Sequence, residues 1–130
     1  MQPPCPALTP SRVHLTERLQ SILRRQADPG RWLLLLRHGD ACIGFVHAKI
    51  DRDERPGTGC ILEFYVAPEN RKRGWGRRMF DHIAQVLRCN RVSQVWLTTN
   101  PRAEGFWKRL GFVAMGEVAE NGQRVMIRNT

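Results

Sequence analysis

The stretch CILEFYVAPENRKRGWGRRMFDHIAQVLRC, residues 60–89, constrains this chain more than any other. An apolar run with β-branched and aromatic residues stops at Pro68 and passes through a basic turn with two glycines. It then opens a segment in which Met79, Phe80, Ile83, Ala84 and Leu87 recur at helical spacing. Strand, tight turn and helix in succession make a unit of α/β architecture, in which ligands bind outside the carboxyl ends of the strands. The pattern predicts a strand over 60–66 and a helix over about 74–89.

The rest of the chain is punctuated just as clearly. Residues 1–9 carry three prolines and no periodicity, which reads as a flexible tail. Thr9 and Pro10 read as an N-cap and first helical position, and Leu15, Leu19, Ile22 and Leu23 carry a helix over 10–27 until Asp28-Pro29-Gly30 stops it. Two β-type runs flank the turn His38-Gly39-Asp40, a hairpin signal. VSQVWLTT, 92–99, is a further strand. Asn100-Pro101 opens a short helix with Ala103, Phe106, Trp107 and Leu110 on one face, and Gly111 is placed to end it. FVAMGEVA and QRVMIRN close the chain as strands about the turn at 120–122. This order is α/β with a mixed sheet, and residues 10–130 are the length of one domain.

Charge narrows the possible partners. The formal net charge is +9, a balance that brings nucleic acid, a membrane surface or a polyanionic cofactor into consideration. Arg71, Lys72, Arg73, Arg77 and Arg78 lie together with no acid among them, and without those five the excess falls to four. The charge is therefore concentrated at the turn rather than spread as a stripe. Cys5, Cys42, Cys60 and Cys89 form no C-x-x-C pair, so no metal site is signalled. No run approaches the roughly 18 apolar residues of a membrane span, and the first residues lack a signal-peptide pattern, so the expected location is cytoplasmic with no membrane partner.

A helix start has several backbone N–H groups without an intrahelical acceptor, and the macrodipole adds partial positive charge there. Gly74 and Gly76 would let a ligand approach the backbone closely, and the flanking arginines suit phosphate. The spacing R-x-x-G-x-G matches neither the nucleoside-triphosphate nor the dinucleotide glycine loop.

These residues resemble the GNAT superfamily of acetyl-coenzyme A-dependent N-acetyltransferases. LEFYVAPENRKRGWGRRMF is similar to that family's strand, V-x-P and [QR]-x-x-G-x-[GA] helix start. NPRAEGFWKRLGFVAMG resembles its second motif, and WLLLLRHGDACIGFV its preceding hairpin. The likeness covers about residues 31–129 in the family's order. It implies an α+β fold with a mostly antiparallel sheet of about six strands and helices on both faces, and acetyl-CoA as cofactor.

Carried over residue by residue, the resemblance implies that backbone N–H groups from Arg71, Lys72, Arg73, Gly74, Trp75, Gly76 and Arg77 hold the coenzyme A pyrophosphate. Side chains of Arg71, Arg73 or Arg78 would add contacts. Backbone at Tyr65, Val66 and Ala67 would pair with the pantetheine arm and supply an oxyanion donor. Asn100 would contact pantetheine, with Phe106 and Trp107 alongside the cofactor.

Transfer to an amine needs a base, because a lysine-type amine is mostly protonated at neutral pH. Glu63 is the first candidate, against the alternative of an ion pair at the strand edge. His47 has a suitable ring but no motif behind it. Asp51, Asp53 and Glu54 could face a cationic acceptor or stay solvated.

The sequence departs from the family in two places. Many relatives carry tyrosine at the second aromatic of the second motif, where this chain has Trp107, a residue that suits packing. Tyr65, the chain's single tyrosine, either replaces that hydroxyl or packs. The amino-terminal region offers a tail and one helix where the family has an additional strand and two helices. That leaves an acceptor groove open or completed by a second subunit in a homodimer.

The function so implied is N-acetylation of an amine on a small molecule or a protein. The alternatives are a catalytically silent acyl-CoA-binding module and a tRNA- or RNA-associated acetyltransferase, with nucleic acid the less favoured partner because the charge is localised.

Overall fold

A computed structural model of the chain describes residues 30–130. The amino-terminal tail and the helix expected over 10–27 lie outside the described residues. Six strands and two α-helices follow in order. These are β1 (Arg31–His38), β2 (Ala41–Ile50), β3 (Gly59–Val66), α1 (Trp75–Cys89), β4 (Gln94–Thr99), α2 (Pro101–Arg109), β5 (Val113–Val118) and β6 (Arg124–Asn129). The sheet order is β1-β2-β3-β4-β6-β5. Its β3–β4 ladder is parallel, while β1–β2, β4–β6 and β5–β6 are antiparallel. The mixed six-stranded sheet expected from the sequence is the one found.

Backbone proximity groups the chain into two units, and each has its own packing. The first takes in residues 30–49 and Leu62–Ile83. Its hairpin turns at Gly39, whose φ of 60° is the left-handed geometry that a two-residue connection demands. The register closes with His38 opposite Ala41. Leu33 and Phe45 are buried, with Leu35 and Tyr65 packed against them. Met79, Phe80 and Ile83 of α1 are also buried, so the helical stripe read from the sequence is the face that leaves water.

Gly44 sits inside β2, where glycine ordinarily weakens a strand. A Cβ built there would overlap the Tyr65 carbonyl oxygen and lie 3.3 Å from Val66 Cα. Glycine is what allows the end of β3 to come this close.

The second unit takes in Ile50–Ile61 and Ala84–Thr130. The β3–β4 ladder lies here as two pairs, Gly59 with Val95 and Cys60 with Trp96. Gly59 again marks a close approach, since a Cβ would stand 2.9 Å from a Leu87 methyl group. Cys60, Trp96 and Val125 pack together with Ile127 against them.

The loop 51–58 is built around Asp51. Gly57 donates to the Asp51 carbonyl at 2.9 Å, and Asp51 donates to the Thr58 carbonyl at 2.7 Å. With Gly57 at φ 84°, this is a glycine-type β-bulge. The Asp51 carboxylate is buried and accepts the amides of Asp53 at 3.0 Å and Arg55 at 2.8 Å. Asp51 is thus committed to the backbone of its own loop rather than presented to solvent or a ligand. Arg55 then lies over Trp96, 4.5 Å from the ring centroid, and bonds Glu117 of β5 at 2.6 Å.

Candidate cofactor and acyl-transfer site

The site begins where β3 stops. Ala67 donates its amide to the Ile43 carbonyl at 2.7 Å, which fixes the strand's last residues against β2. A single 3₁₀ turn, Pro68–Asn70, follows because proline presets the turn and cannot extend the ladder. Arg71 leaves that turn extended, Lys72 enters the left-handed region at φ 62°, and Gly74 does so at φ 83°. Left-handed geometry is costly for a residue with a Cβ, so Lys72 records a loop shaped for something other than local comfort.

Gly74 precedes the first helical residue. Arg78 donates to the Gly74 carbonyl at 3.2 Å, which makes Trp75, Gly76 and Arg77 the opening residues whose amides precede the helical ladder. A Cβ built at Gly74 meets nothing within 4 Å, so the space beside this helix start is open. Donors, open space and basic side chains there suit a phosphate group, and residues 71–77 fit the pyrophosphate that the sequence resemblance assigns to them.

The basic side chains do not all face outward. Arg71 turns back, donating Nε to the Val66 carbonyl at 2.8 Å, with its guanidinium 5.7 Å from the Tyr65 ring centroid. Arg78 lies over Trp75 at 4.9 Å, and His38 of the hairpin meets the same indole edge-on at 5.1 Å. Arg73 and Lys72 are exposed.

Tyr65 stacks on Phe45 at 5.9 Å and lies under Arg71, so its ring is held by packing. Glu63 and Tyr65 are both half-buried in β3. The amide of Ala67 is already used by Ile43, and the Val66 carbonyl by Arg71. His47 is buried, 2% exposed, with Arg31 Nη1 3.5 Å from its Nε2, an arrangement that ties the imidazole into the hairpin.

In the second unit, Asn100 caps α2 by accepting the Ala103 amide at 3.0 Å. One lone pair of its side-chain oxygen is thereby engaged, leaving the second and the NH₂ end for other contacts. Trp107 is 6% exposed and meets Phe106 at 4.9 Å and Phe112 at 5.2 Å, both edge-on. It is a packing residue of this unit, while Phe106 is half-buried. Asn100, Phe106 and Trp107 therefore occupy one short helix with its own aromatic cluster.

Sequence reasoning passed over Gly44 and the return of Arg71 to Val66. A glycine inside a run of β-formers, in Cys42-Ile43-Gly44-Phe45-Val46, was the available signal for the first. Nothing local marks the second.

Comparison with known proteins bears on the fold and the family. The chain is 27% identical over 82 residues to the spermine/spermidine N(1)-acetyltransferase of Bacillus subtilis strain 168, a match covering 60% of this chain and 54% of that protein. It thus spans about half the length of that curated relative. An acetyltransferase from Thermus thermophilus superposes with a TM-score of 0.76 at 20% identity, covering 89% of this chain and 75% of the other. The PaiA N-acetyltransferase of Thermoplasma acidophilum, solved with coenzyme A, gives a TM-score of 0.72 at 19% identity over 88% of this chain and 70% of the other. The model of the acetyltransferase (GNAT) family matches residues 4–112, so this chain, with its strand, left-handed turn and glycine-led helix, belongs to that family.

Proposed function

We propose that this chain transfers the acetyl group of acetyl-CoA directly to an amine. The observation that carries the reading is the start of α1: a left-handed Lys72, an open Gly74 at φ 83° and a cluster of arginines around amides that precede the helical ladder. The donor supplies an activated thioester, and residues 72–77 would hold its pyrophosphate through backbone amides, the Arg71 amide being bonded to the Pro68 carbonyl. Tyr65 and Val66 would align its pantetheine arm as an added strand.

Glu63 is the proposed base, taking the proton of the acceptor ammonium directly or through a water so that a neutral amine attacks. A backbone N–H at Val66 would stabilise the negative charge that develops on the carbonyl oxygen. The sulfur leaves as thiolate, since a thiol of pKa near 8.5 is a tolerable leaving group without an acid, and the proton still on the acylated nitrogen passes to that thiolate or to solvent. That matters here because Trp107 is packed between Phe106 and Phe112 and cannot supply a proton.

Polyamines are the first acceptor class to try, since a relative with 27% identity over 82 residues is a spermine/spermidine acetyltransferase. A cytoplasmic location and a homodimer go with this reading.

Calorimetry with acetyl-CoA, followed by thiol release against a panel of amines, tests the proposal. We expect binding that is lost when Gly74 and Gly76 are replaced by bulky residues. No binding, or binding indifferent to those changes, refutes it. Trp107 in place of the usual tyrosine favours one second reading, an acyl-CoA-binding module without turnover, which binding with no thiol release from any amine would establish. A role with tRNA requires salt-sensitive tRNA binding that survives saturating acetyl-CoA.

A further inference from the structure

Within the 71–78 cluster, Arg71 sends its guanidinium back along the chain to the end of β3. A side chain meant only for phosphate would extend from the helix start. This one folds back 2.8 Å from the Val66 carbonyl and over the Tyr65 ring. Its own amide also donates to the Pro68 carbonyl at 3.3 Å, so one residue closes the strand-to-helix connection through main chain and side chain.

The Val66 carbonyl and the Ala67 N–H belong to the same peptide group. The N–H is bound by Ile43 at 2.7 Å and the carbonyl by Arg71, so this peptide plane is pinned at both polar atoms. In an extended strand the N–H and C=O of one residue point to the same side, opposite to the N–H of the next. With the Ala67 N–H directed at β2, both polar groups of Val66 face away from β2, and Arg71 holds the orientation. The carbonyl keeps a second lone pair, and the guanidinium keeps its terminal N–H groups.

We propose that Arg71 is a positioning residue for the end of β3. By fixing the Val66–Ala67 peptide and the Tyr65 ring, it presents Val66 to the amide-bearing arm of the donor, and this contribution does not depend on phosphate. The inference rests on the reading above that the donor pairs with this strand end.

The test compares coenzyme A with pantetheine, which has the same arm and no phosphate, by calorimetric titration of wild type, Arg71→Met, Arg71→Lys and Arg73→Gln. Losing the strand-end orientation that this bond holds should weaken binding by about tenfold, the factor that about 1.4 kcal/mol of lost preorganisation represents. We expect Arg71→Met to weaken both ligands by a similar factor. Arg71→Lys should fail to restore pantetheine, because the lysine ammonium sits one atom beyond the position of Nε. Arg73→Gln should weaken coenzyme A alone.

A loss in Arg71→Met confined to coenzyme A, or full rescue by lysine, overturns the proposal and returns Arg71 to a simple phosphate contact. So does a wild type that binds coenzyme A but not pantetheine, because the strand end then recognises nothing by itself. A wild type that binds neither ligand overturns the donor reading as a whole. Melting curves of the variants separate these outcomes from unfolding, since a purely structural strut would lower thermal stability and leave both affinities of the folded protein unchanged.

Discussion

Gly44→Ala adds one methyl group, and the structure places it against backbone rather than against a side chain that could rotate away. The added carbon would overlap the Tyr65 carbonyl oxygen and stand 3.3 Å from Val66 Cα and 3.4 Å from the Tyr65 carbonyl carbon. Relieving the overlap needs a withdrawal of the β3 end by about 1 Å, given ordinary heavy-atom contacts of roughly 3.5–4.0 Å. The Ala67–Ile43 hydrogen bond of 2.7 Å is the first to be stretched, because it links the residues on either side of the overlap. Overpacking costs about 1–3 kcal/mol and the weakened hydrogen bond about 0.5–1.5 kcal/mol, so a loss of roughly 2–4 kcal/mol is expected. For a domain of this length that is a fall in Tm of about 6–15 °C.

The functional loss should exceed what unfolding explains, since a misplacement of about 1 Å at a reacting group can lower the rate on the order of 100-fold. Thermal melts, followed by calorimetry with coenzyme A and thiol-release rates with acetyl-CoA at a temperature where the variant stays folded, would measure both. A variant melting within about 1 °C of wild type with unchanged coenzyme A affinity would refute the claim that Gly44 exists for this approach.

Three further outcomes are expected. Gly105→Ala, inside α2 with only Arg109 Nη1 at 3.5 Å from the new carbon, should stabilise the protein by about 0.5–1 kcal/mol in denaturant titrations, and it serves as the opposite-sign control for Gly44. Asp51→Asn keeps one acceptor oxygen and turns an amide NH₂ toward a backbone N–H, so it should cost about 1–3 kcal/mol of stability, read by urea unfolding. Its affinity for coenzyme A should be unchanged. Glu63→Gln should lower kcat by about 10²- to 10⁴-fold while leaving the KM for acetyl-CoA near that of wild type, and an unaltered kcat would remove Glu63 as the base.

What could be read from the chain without its structure was punctuation. The turn at Gly39-Asp40, the cap at Asn100 and the end of α2 just before Gly111 all appear where one or two residues call for them. Each depends on a single φ value or a hydrogen bond within four residues, so local sequence carries it. The Asn100 side chain accepting from Ala103 and Gly111 taking φ 95° are instances of that short reach.

Asp51 shows the limit. A loop acid among Arg52, Asp53 and Glu54 reads as solvated, yet it is 2% exposed, because the bulge at Gly57 folds the loop's amides onto its carboxylate. Arg55 and Glu117, 62 positions apart, meet over Trp96, and no spacing rule could have joined them.

For the candidate site, the order of residues dictated the chemistry on offer. Glycines at 74 and 76 beside five cations at a helix start suit an anion, since backbone amides and charge are properties of the local chain. How those groups are used was settled by folding. Arg71 is drawn back to Val66, Tyr65 is laid on Phe45, Ala67 is bound to Ile43, and Trp107 is enclosed by Phe106 and Phe112. A hydrogen bond or ring contact goes to whichever group folding brings within about 3 Å for the first or 5 Å for the second. Those neighbours are set by strand register and by the absence of a Cβ at Gly44, which the local pattern of apolar and charged residues does not encode.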